Sequence, residues 1–411
     1  MITPNTWVEI DGEALRSNVQ HCRRLIGPHC RLLAMVKGNA YGHGLREAAR
    51  LFLDAGVDVL GVGALEEALT LRTAGLTCPI LLTGPIPPEH FPLLVAHRLT
   101  PLLVSVEQVR DLGAFTDQAA ATIEAHLKCD TGMHRQGIML TELPQLIDVL
   151  GKYPGLRITG AATHFACADE VEHADWTRHQ LARLHEIIAT LAAAGIHPAI
   201  RHAANSAAAL LWPETHLEMV RLGIALYGLW PSTAVARATT APVTLRPVLT
   251  WKTRVAAVKR VLRGCGVGYG VSYTTTRDSC VAVLPLGYYD GYSRALSNLG
   301  QVLVHGQRAP VCGRVSMNLM TVDVTDIPAV QPGDEVVLLG RQGAGEITAE
   351  EMAAWLDSLH YEVITRINPL IPRVVVDSRV IPPSPSWAGA GTCSPASEGP
   401  AGSRRGSRPQ T

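Results

Sequence analysis

RLLAMVKGNAYGHGLREAARLFLDAGVDVLGVGALEEALTLRTAGLTCPILLTG, residues 31–84, is the stretch that decides the fold. An apolar run at 32–36 leads into an amphipathic stretch, LREAARLFLDAG, that closes on a glycine. A second run at 59–62 leads into ALEEALTLRTAG, and a third run follows at 80–83. Short buried runs alternating with helix-length amphipathic segments read as strand–helix units. A glycine just past a helix accepts the left-handed C-cap. The alternation continues with runs at 101–104, 123–128, 158–163, 200–203 and 220–224, and RHQLARLHEIIATLAAAG is the longest of the later helical stretches. Eight such units in roughly 200 residues predict a parallel (β/α)8 barrel. A doubly wound open sheet is the alternative, and eight units count against it.

The pattern changes after about residue 241. LTWKTRVAAVKRV, SCVAVLPLG, GQVLVHGQRAPVCGRV, MTVDVTD and DEVVLLG alternate apolar with polar residues and are punctuated by Gly, Pro and Asp, as strands are. One helix is predicted around 349–359, and WVEID near the N-terminus has strand character. The expected class is therefore α/β. A TIM-like (β/α)8 barrel would occupy 12–240, and a second, mainly β domain would take 1–11 and 241–382. Residues 383–411, rich in Pro, Ser, Gly and Arg, carry too little apolar material for a core and read as a disordered tail.

Bulk composition excludes several classes of function. A chain of 411 residues exceeds what one core usually holds. Lysine plus arginine and aspartate plus glutamate both number 36, so no basic bias points to nucleic acid and no polybasic run to a membrane surface. No segment approaches the ~18 consecutive apolar residues of a membrane-spanning helix. The opening MITPNTWVEIDG lacks the basic and apolar regions of a secretion signal. Nine cysteines, scattered singly with no CxxC pair, read as free thiols in a reducing cytoplasm.

Lys37 is the residue most out of place, a lysine ending a buried strand. Burying an ammonium is costly, so its pKa should fall, and such a lysine is a nucleophile for aldehydes. The bland alternative is a lysine that snorkels from the strand end. In a barrel the active site lies at the C-terminal ends of the strands, and unusual polar residues recur there. Lys128 and Arg135 follow the fifth run in HLKCDTGMHRQG, and His164 follows the sixth in GAATHFA. Asn205 and Ser206 follow the seventh, and Arg221 lies in the eighth before LGIALYG. Each alone could be a core histidine or a strand-end charge, but chance poorly explains all of them on one rim.

These segments resemble the bacterial alanine racemases, pyridoxal 5'-phosphate (PLP) enzymes with a barrel and a C-terminal β domain. AMVKGNAYGHG matches the family's PLP-lysine segment. HLKCDTGMHRQG, THFACAD, NSAA, RLGIALYG, GVGYG, LPLGYYDGY and GRVSMN follow in the family's order, from about Trp7 to Arg373. The resemblance implies interconversion of L- and D-alanine through a PLP aldimine on Lys37, supplying D-alanine for peptidoglycan. It implies phosphate binding by Tyr41, Ser206, the amides of Gly223 and Ile224, and Tyr361. Hydroxyls and backbone N–H groups near a helix N-terminus suit that task. His164 would pack beside the pyridine ring and hydrogen-bond Arg221, and Arg221 would face the pyridine nitrogen. A permanent cation there disfavours ring protonation, which weakens the electron sink and limits side reactions such as transamination.

The resemblance also implies two bases, Lys37 on one face of the substrate carbanion and Tyr269 on the other. A tyrosine with an unperturbed pKa near ~10 needs help in that role. Tyr269 and Met317 would come from the partner subunit of an obligate homodimer, and the Met317 amide with Arg135 would bind the substrate carboxylate. Lys128 is the candidate for a carbamate that orients Arg135, the alternative being a plain lysine paired with Asp130 or another acid. Asn318 stands where many family members have aspartate and broader-specificity relatives have asparagine, which bears on substrate range.

Other readings weigh less. RGCGVGYG lacks the GxGxxG spacing of a nucleotide loop. His164, His173, His179 and Asp169 match no metal-ligand spacing, so no metal is expected. A barrel-type PLP decarboxylase would place glutamate where Arg221 stands. A PLP-carrier protein would lack the β domain with Tyr269. A dead interaction module would have lost Lys37 or Tyr269. A broader amino-acid racemase acting on serine, lysine or arginine is the nearest rival.

Overall fold

The computed structural model describes residues 4–376. Among these, one compact unit comprises 4–252 with 348–376 and the other 253–347. Strand β1 (Thr6–Asp11) opens the first unit and a helix over Gly12–Ile26 follows, capped by the Asp11 carboxylate on Ala14 N. The barrel strands are β2 (Arg31–Met35), β3 (Val59–Val62), β4 (Ile80–Leu82), β5 (Thr100–Leu103), β6 (Ile123–Lys128), β7 (Leu156–Ala162), β8 (Ile200–His202) and β9 (Met219–Leu222). Each begins within two residues of a predicted apolar run.

The strands pair in parallel in the order β8-β7-β6-β5-β4-β3-β2-β9. Glu218 N donates to Arg201 O at 3.2 Å and Arg221 N to Ala204 O at 2.9 Å, which brings the two ends of the sheet together. The (β/α)8 barrel predicted from the apolar runs is thus the fold of this unit. Three helices over Leu45–Asp54, Leu65–Thr73 and Ala174–Ala193 are followed by Gly56, Gly75 and Gly195, all left-handed.

The barrel interior explains where the site falls. Leu33 and Met35 of β2, Val59, Leu81, Leu102, Ala162 of β7 and Met219 of β9 pack together inside. Side chains alternate along a strand. The next inward positions after Met35, Ala162 and Met219 are therefore Lys37, His164 and Arg221, at the C-terminal mouth.

In the second unit β11 (Ala257–Val261), β14 (Ser279–Leu284) and β17 (Met320–Asp323) form an antiparallel sheet in the order β11-β14-β17. β12 (Gly266–Val267) and β13 (Tyr273–Thr274) make a short hairpin. β15 (Gln301–Val304) pairs with β16 (Gln307–Pro310) and β18 (Glu335–Gln342), and β18 pairs with β19 (Gly345–Ile347). This mainly β unit agrees with the patterning after residue 241.

Among the described residues the compact units divide at 252/253 and 347/348, beside the expected grouping of 1–11 with 241–382. β1 pairs in parallel with β20 (Arg373–Val376), Val8 opposite Arg373, and β10 (Leu249–Arg254) is its other neighbour. The helix expected at 349–359 stops at Trp355, Asp357 is left-handed, and a second helix covers His360–Thr365. The tail expected at 383–411 lies outside the described residues.

Candidate active site

After Lys37 the backbone makes a left-handed turn. Gly38, Asn39, Ala40 and Tyr41 have φ of 64°, 54°, 54° and 53°, and Gly42 has 82°. The left-handed region costs a non-glycine L-residue about 1–2 kcal/mol, so surrounding contacts must impose this turn. The Asn39 side chain accepts from Leu45 N at 2.9 Å. Glu67 Oε1 accepts from Gly38 N at 2.7 Å, and Arg373 donates to Gly42 O from Nε at 3.0 Å and Nη2 at 2.8 Å. A Cβ at Gly42 would sit 2.0 Å from the Ile364 carbonyl, so only glycine fits. The turn sets Tyr41 against Tyr227, tilted, at 5.0 Å between ring centroids and leaves it 6.3 Å from Tyr361.

The barrel mouth holds a cavity of about 700 Å³ whose lining includes Lys37, Lys128, Arg135 and Arg221, with Asp169 and Glu362 as acids. Basic groups so gathered favour an anionic ligand. Burial lowers the pKa of Lys37 and Arg135 lowers it further; Glu67 opposes them, and Arg221 adds to the lowering. Lys128 is 5% exposed, and burial first, then Arg221, brings it down to about 8. Its amine donates to Cys129 O at 3.3 Å. The Asp130 charge opposes that lowering, while its carboxylate accepts from the N–H groups of Gly132, Met133 and His134.

Arg221 is buried and multiply bonded. Nη2 donates to Thr163 O at 2.7 Å, Ala203 O at 3.2 Å and His164 Nδ1 at 3.2 Å. Nη1 donates to His202 O at 2.9 Å and His202 Nδ1 at 3.0 Å. Burial brings its pKa down to about 10, still a cation at neutral pH.

Across the mouth Ser206 Oγ accepts from Gly223 N at 3.1 Å and Ala225 N at 3.3 Å. A Cβ on Gly223 would stand 2.4 Å from the Tyr41 hydroxyl. The Ile224 N–H makes no hydrogen bond among the described residues. Burial raises the hydroxyl of Tyr41 to about 12 and also raises that of Tyr361, so both stay protonated donors. Asn205 caps the helix Ser206–Leu211 through Ala208 N at 2.9 Å.

Tyr269 and Met317 lie in the second unit, where they line a separate cavity of about 480 Å³ with Arg314 and Asn318. Tyr269 is 72% exposed and Met317 54%. RGCGVGYG supplies β12 and the start of the connection to β13, with Tyr269 in that connection and Arg314 against Gly270.

Three site residues were passed over in the sequence. Glu67 is the third residue of its helix and bonds back across the N-terminus, a spacing readable in ALEEAL. Gln180, fully buried, donates to His164 O at 3.2 Å and Thr131 Oγ1 at 3.3 Å and accepts from Ala166 N at 2.9 Å. A glutamine on the inward side of a long helix was its one signal. Arg373 lies over three hundred residues from the turn it clamps, and no local signal marks it.

Comparison with known proteins shows the family. Residues 10–231 match the family model for the alanine racemase N-terminal domain and 248–375 that for the C-terminal domain. The alanine racemase of Symbiobacterium thermophilum is 45% identical over 368 residues, covering 90% of this chain and 96% of that protein. The crystal structure of alanine racemase from Bacillus anthracis with bound L-Ala-P superposes with a TM-score of 0.87 at 37% identity, covering 92% of this chain and 96% of the other. That of the Bartonella henselae enzyme with covalently bound pyridoxal phosphate gives 0.80 at 28% identity, covering 91% and 100%. The chain belongs to the alanine racemase family.

Proposed function

We propose that this chain is a PLP-dependent isomerase that interconverts L- and D-alanine, and that it provides D-alanine for peptidoglycan. The observation that carries the reading is Lys37, an amine of lowered proton affinity at the mouth of the barrel. Facing it is a cradle of one serine hydroxyl and adjacent backbone amides. That combination suits a phosphate-bearing aldehyde. The cradle has room only because Gly223 lacks a Cβ, and the unpaired Ile224 N–H is a ready donor.

In this reading Tyr41, Ser206, Gly223, Ile224 and Tyr361 hold the phosphate, and Lys37 holds the aldehyde carbon. PLP, when bound, supplies an electron sink for the pair left on the substrate Cα. Arg221, still cationic at neutral pH, disfavours a proton on the pyridine nitrogen, and His164 packs beside the ring. Arg135 and the backbone amide of Met317 of the partner subunit hold the substrate carboxylate. Lys37 Nζ takes or returns the Cα proton on one face, and Tyr269 of the partner subunit does so on the other. Lys128, brought down to about 8 by burial and Arg221, carries a carbamate that orients Arg135. The protein then works as a homodimer with shared sites, and Tyr269, Val271, Met317 and Leu319, all exposed, fit a surface that a second copy covers.

The test is chiral chromatography of purified protein incubated with PLP and single L-amino acids. Conversion of L-alanine to an equal mixture of enantiomers, with little turnover of serine, lysine or arginine, supports the proposal. Preference for the larger amino acids would move the substrate and implicate Asn318. Loss of neither racemisation nor the lysine-bound cofactor absorbance in Lys37→Ala would sink the assignment of Lys37.

A further inference from the structure

One side chain ties the turn after Lys37 to the loop after β3. Glu67 Oε1 accepts from Gly38 N, the next residue after the lysine, at 2.7 Å. Its Oε2 accepts from Gly63 N at 2.8 Å and Ala64 N at 3.2 Å, in the loop after β3. A Cβ built on Gly63 would lie 3.2 Å from Lys37 Cβ and 3.6 Å from Glu67 Oε2. Gly63 is thus the wall against which the lysine stem rests, and Glu67 fixes both that wall and the turn behind the amine. The carboxylate does not line the cavity, so it acts through Lys37 and not on a ligand.

The charge of Glu67 matters as well as its shape. Besides Glu67, the groups that bear on the Lys37 charge are Arg135, Arg221 and His164, all basic, while Lys128, Asp169 and Glu362 line the same cavity. Glu67 opposes the pull of the basic groups. We propose that Glu67 is a positioning residue for Lys37: its carboxylate ties the turn that follows the lysine to the loop on which the lysine stem rests and supplies the negative charge that faces the amine. The inference rests on the reading of Lys37 as the reacting lysine. Without the charge, the amine holds a proton less well when it must accept one from the substrate, so turnover falls more than substrate binding.

The test compares Glu67→Gln, which keeps the size and removes the charge, with Glu67→Asp, which keeps the charge and shortens the reach. Glu66→Gln, a neighbouring exposed glutamate, is the control. In cofactor-free protein the pH dependence of Lys37 acylation by acetic anhydride is read by mass spectrometry of the Lys37 peptide. Glu67→Gln should move the midpoint to lower pH, while Glu67→Asp and Glu66→Gln stay near wild type. In the PLP-loaded enzyme kcat of both Glu67 variants should fall by about tenfold or more, with KM for alanine changed by less than about threefold.

A wild-type midpoint and kcat in Glu67→Gln would overturn the proposal. So would equal loss of kcat and thermal stability in both variants with no movement of the midpoint, the signature of a purely structural role. If Glu67→Gln does not fold, Glu67→Asp decides alone, and a wild-type kcat there also overturns it. Retention of the cofactor on another lysine in Lys37→Ala would fail the underlying reading instead, whatever the Glu67 variants do.

Discussion

Arg221 Nη2 lies 3.2 Å from His164 Nδ1, and because arginine only donates, that ring nitrogen carries no proton. The same guanidinium donates from Nη1 to His202 Nδ1 at 3.0 Å. His202 Nε2 therefore holds the hydrogen that faces His126 Nδ1, 2.9 Å away. One buried cation thus sets the tautomers of three rings. Burial, and then Arg221, holds His164 and His202 well below the usual histidine range and His126 at about 4. Neutral rings around a fixed cation make a rigid wall whose charge does not change near neutral pH.

Arg221→Lys tests how much of this depends on the fork of the guanidinium. Lysine keeps the charge but cannot span the carbonyls of Thr163, His202 and Ala203 together with two imidazoles. Each buried acceptor left unpaired costs about 1–3 kcal/mol. Urea unfolding should show a loss of roughly 2–5 kcal/mol. A loss within about 0.5 kcal/mol, the usual range of surface substitutions, would mean that the network contributes little.

Acid should unfold the protein through its buried histidines. His43 and His126 are both brought down to about 4, chiefly by burial, and His164 and His202 lie lower than the usual range. The unfolded chain takes up protons as pH drops below about 6.5 while these folded rings do not. Stability is therefore full above about 6.5 and falls as pH decreases toward the folded values, each ring contributing a slope of about 1.4 kcal/mol per pH unit. Denaturant midpoints at pH 7, 6 and 5 measure this. His126→Asn should flatten the dependence by close to one proton, and a midpoint independent of pH over that interval would contradict the account.

The eight barrel strands were legible because buried parallel strands are written as contiguous apolar runs. Lys37 and Arg221 were legible because a charge in such a run is costly and needs a reason. The turn after Lys37 was not. Ala40 and Tyr41 have no local preference for φ near 54°, and the groups that impose it, Glu67 and Arg373, lie 29 and 331 residues from their partners Gly38 and Gly42. Gln180 was hidden for a similar reason, since its partners Thr131 and His164 reach it from the loops after two different strands. Local composition encodes the strands, whereas the placement of the site comes from hydrogen bonds that only the closed barrel brings together.

Lys128 should respond to carbon dioxide. An amine with a pKa near 8 is neutral for about a tenth of the time at pH 7, and only the neutral amine attacks CO2. The carbamate would place a negative charge beside Arg221 and Arg135, both of which now disfavour the ammonium. Racemase activity should fall when dissolved CO2 is purged and recover with bicarbonate, whereas Lys128→Ala should be insensitive to both. Equal behaviour of wild type and variant would leave Lys128 as a plain buried lysine.

Tyr269 provides the sharpest test of a shared site. A phenol that is 72% exposed, in the connection of a two-stranded hairpin, lacks the enclosed surroundings that a base acting near neutrality needs. A partner subunit would supply them. Lys37→Ala and Tyr269→Phe homodimers should each be nearly inactive. When the two are unfolded together and refolded, half of the dimers should be mixed, and in those one site regains both Lys37 and Tyr269 while the other has neither. Recovered activity should approach about a quarter of wild type, as random pairing in a two-fold dimer requires. If Tyr269 instead served Lys37 of its own chain, every site in the mixed dimer would keep one lesion, and no activity would return.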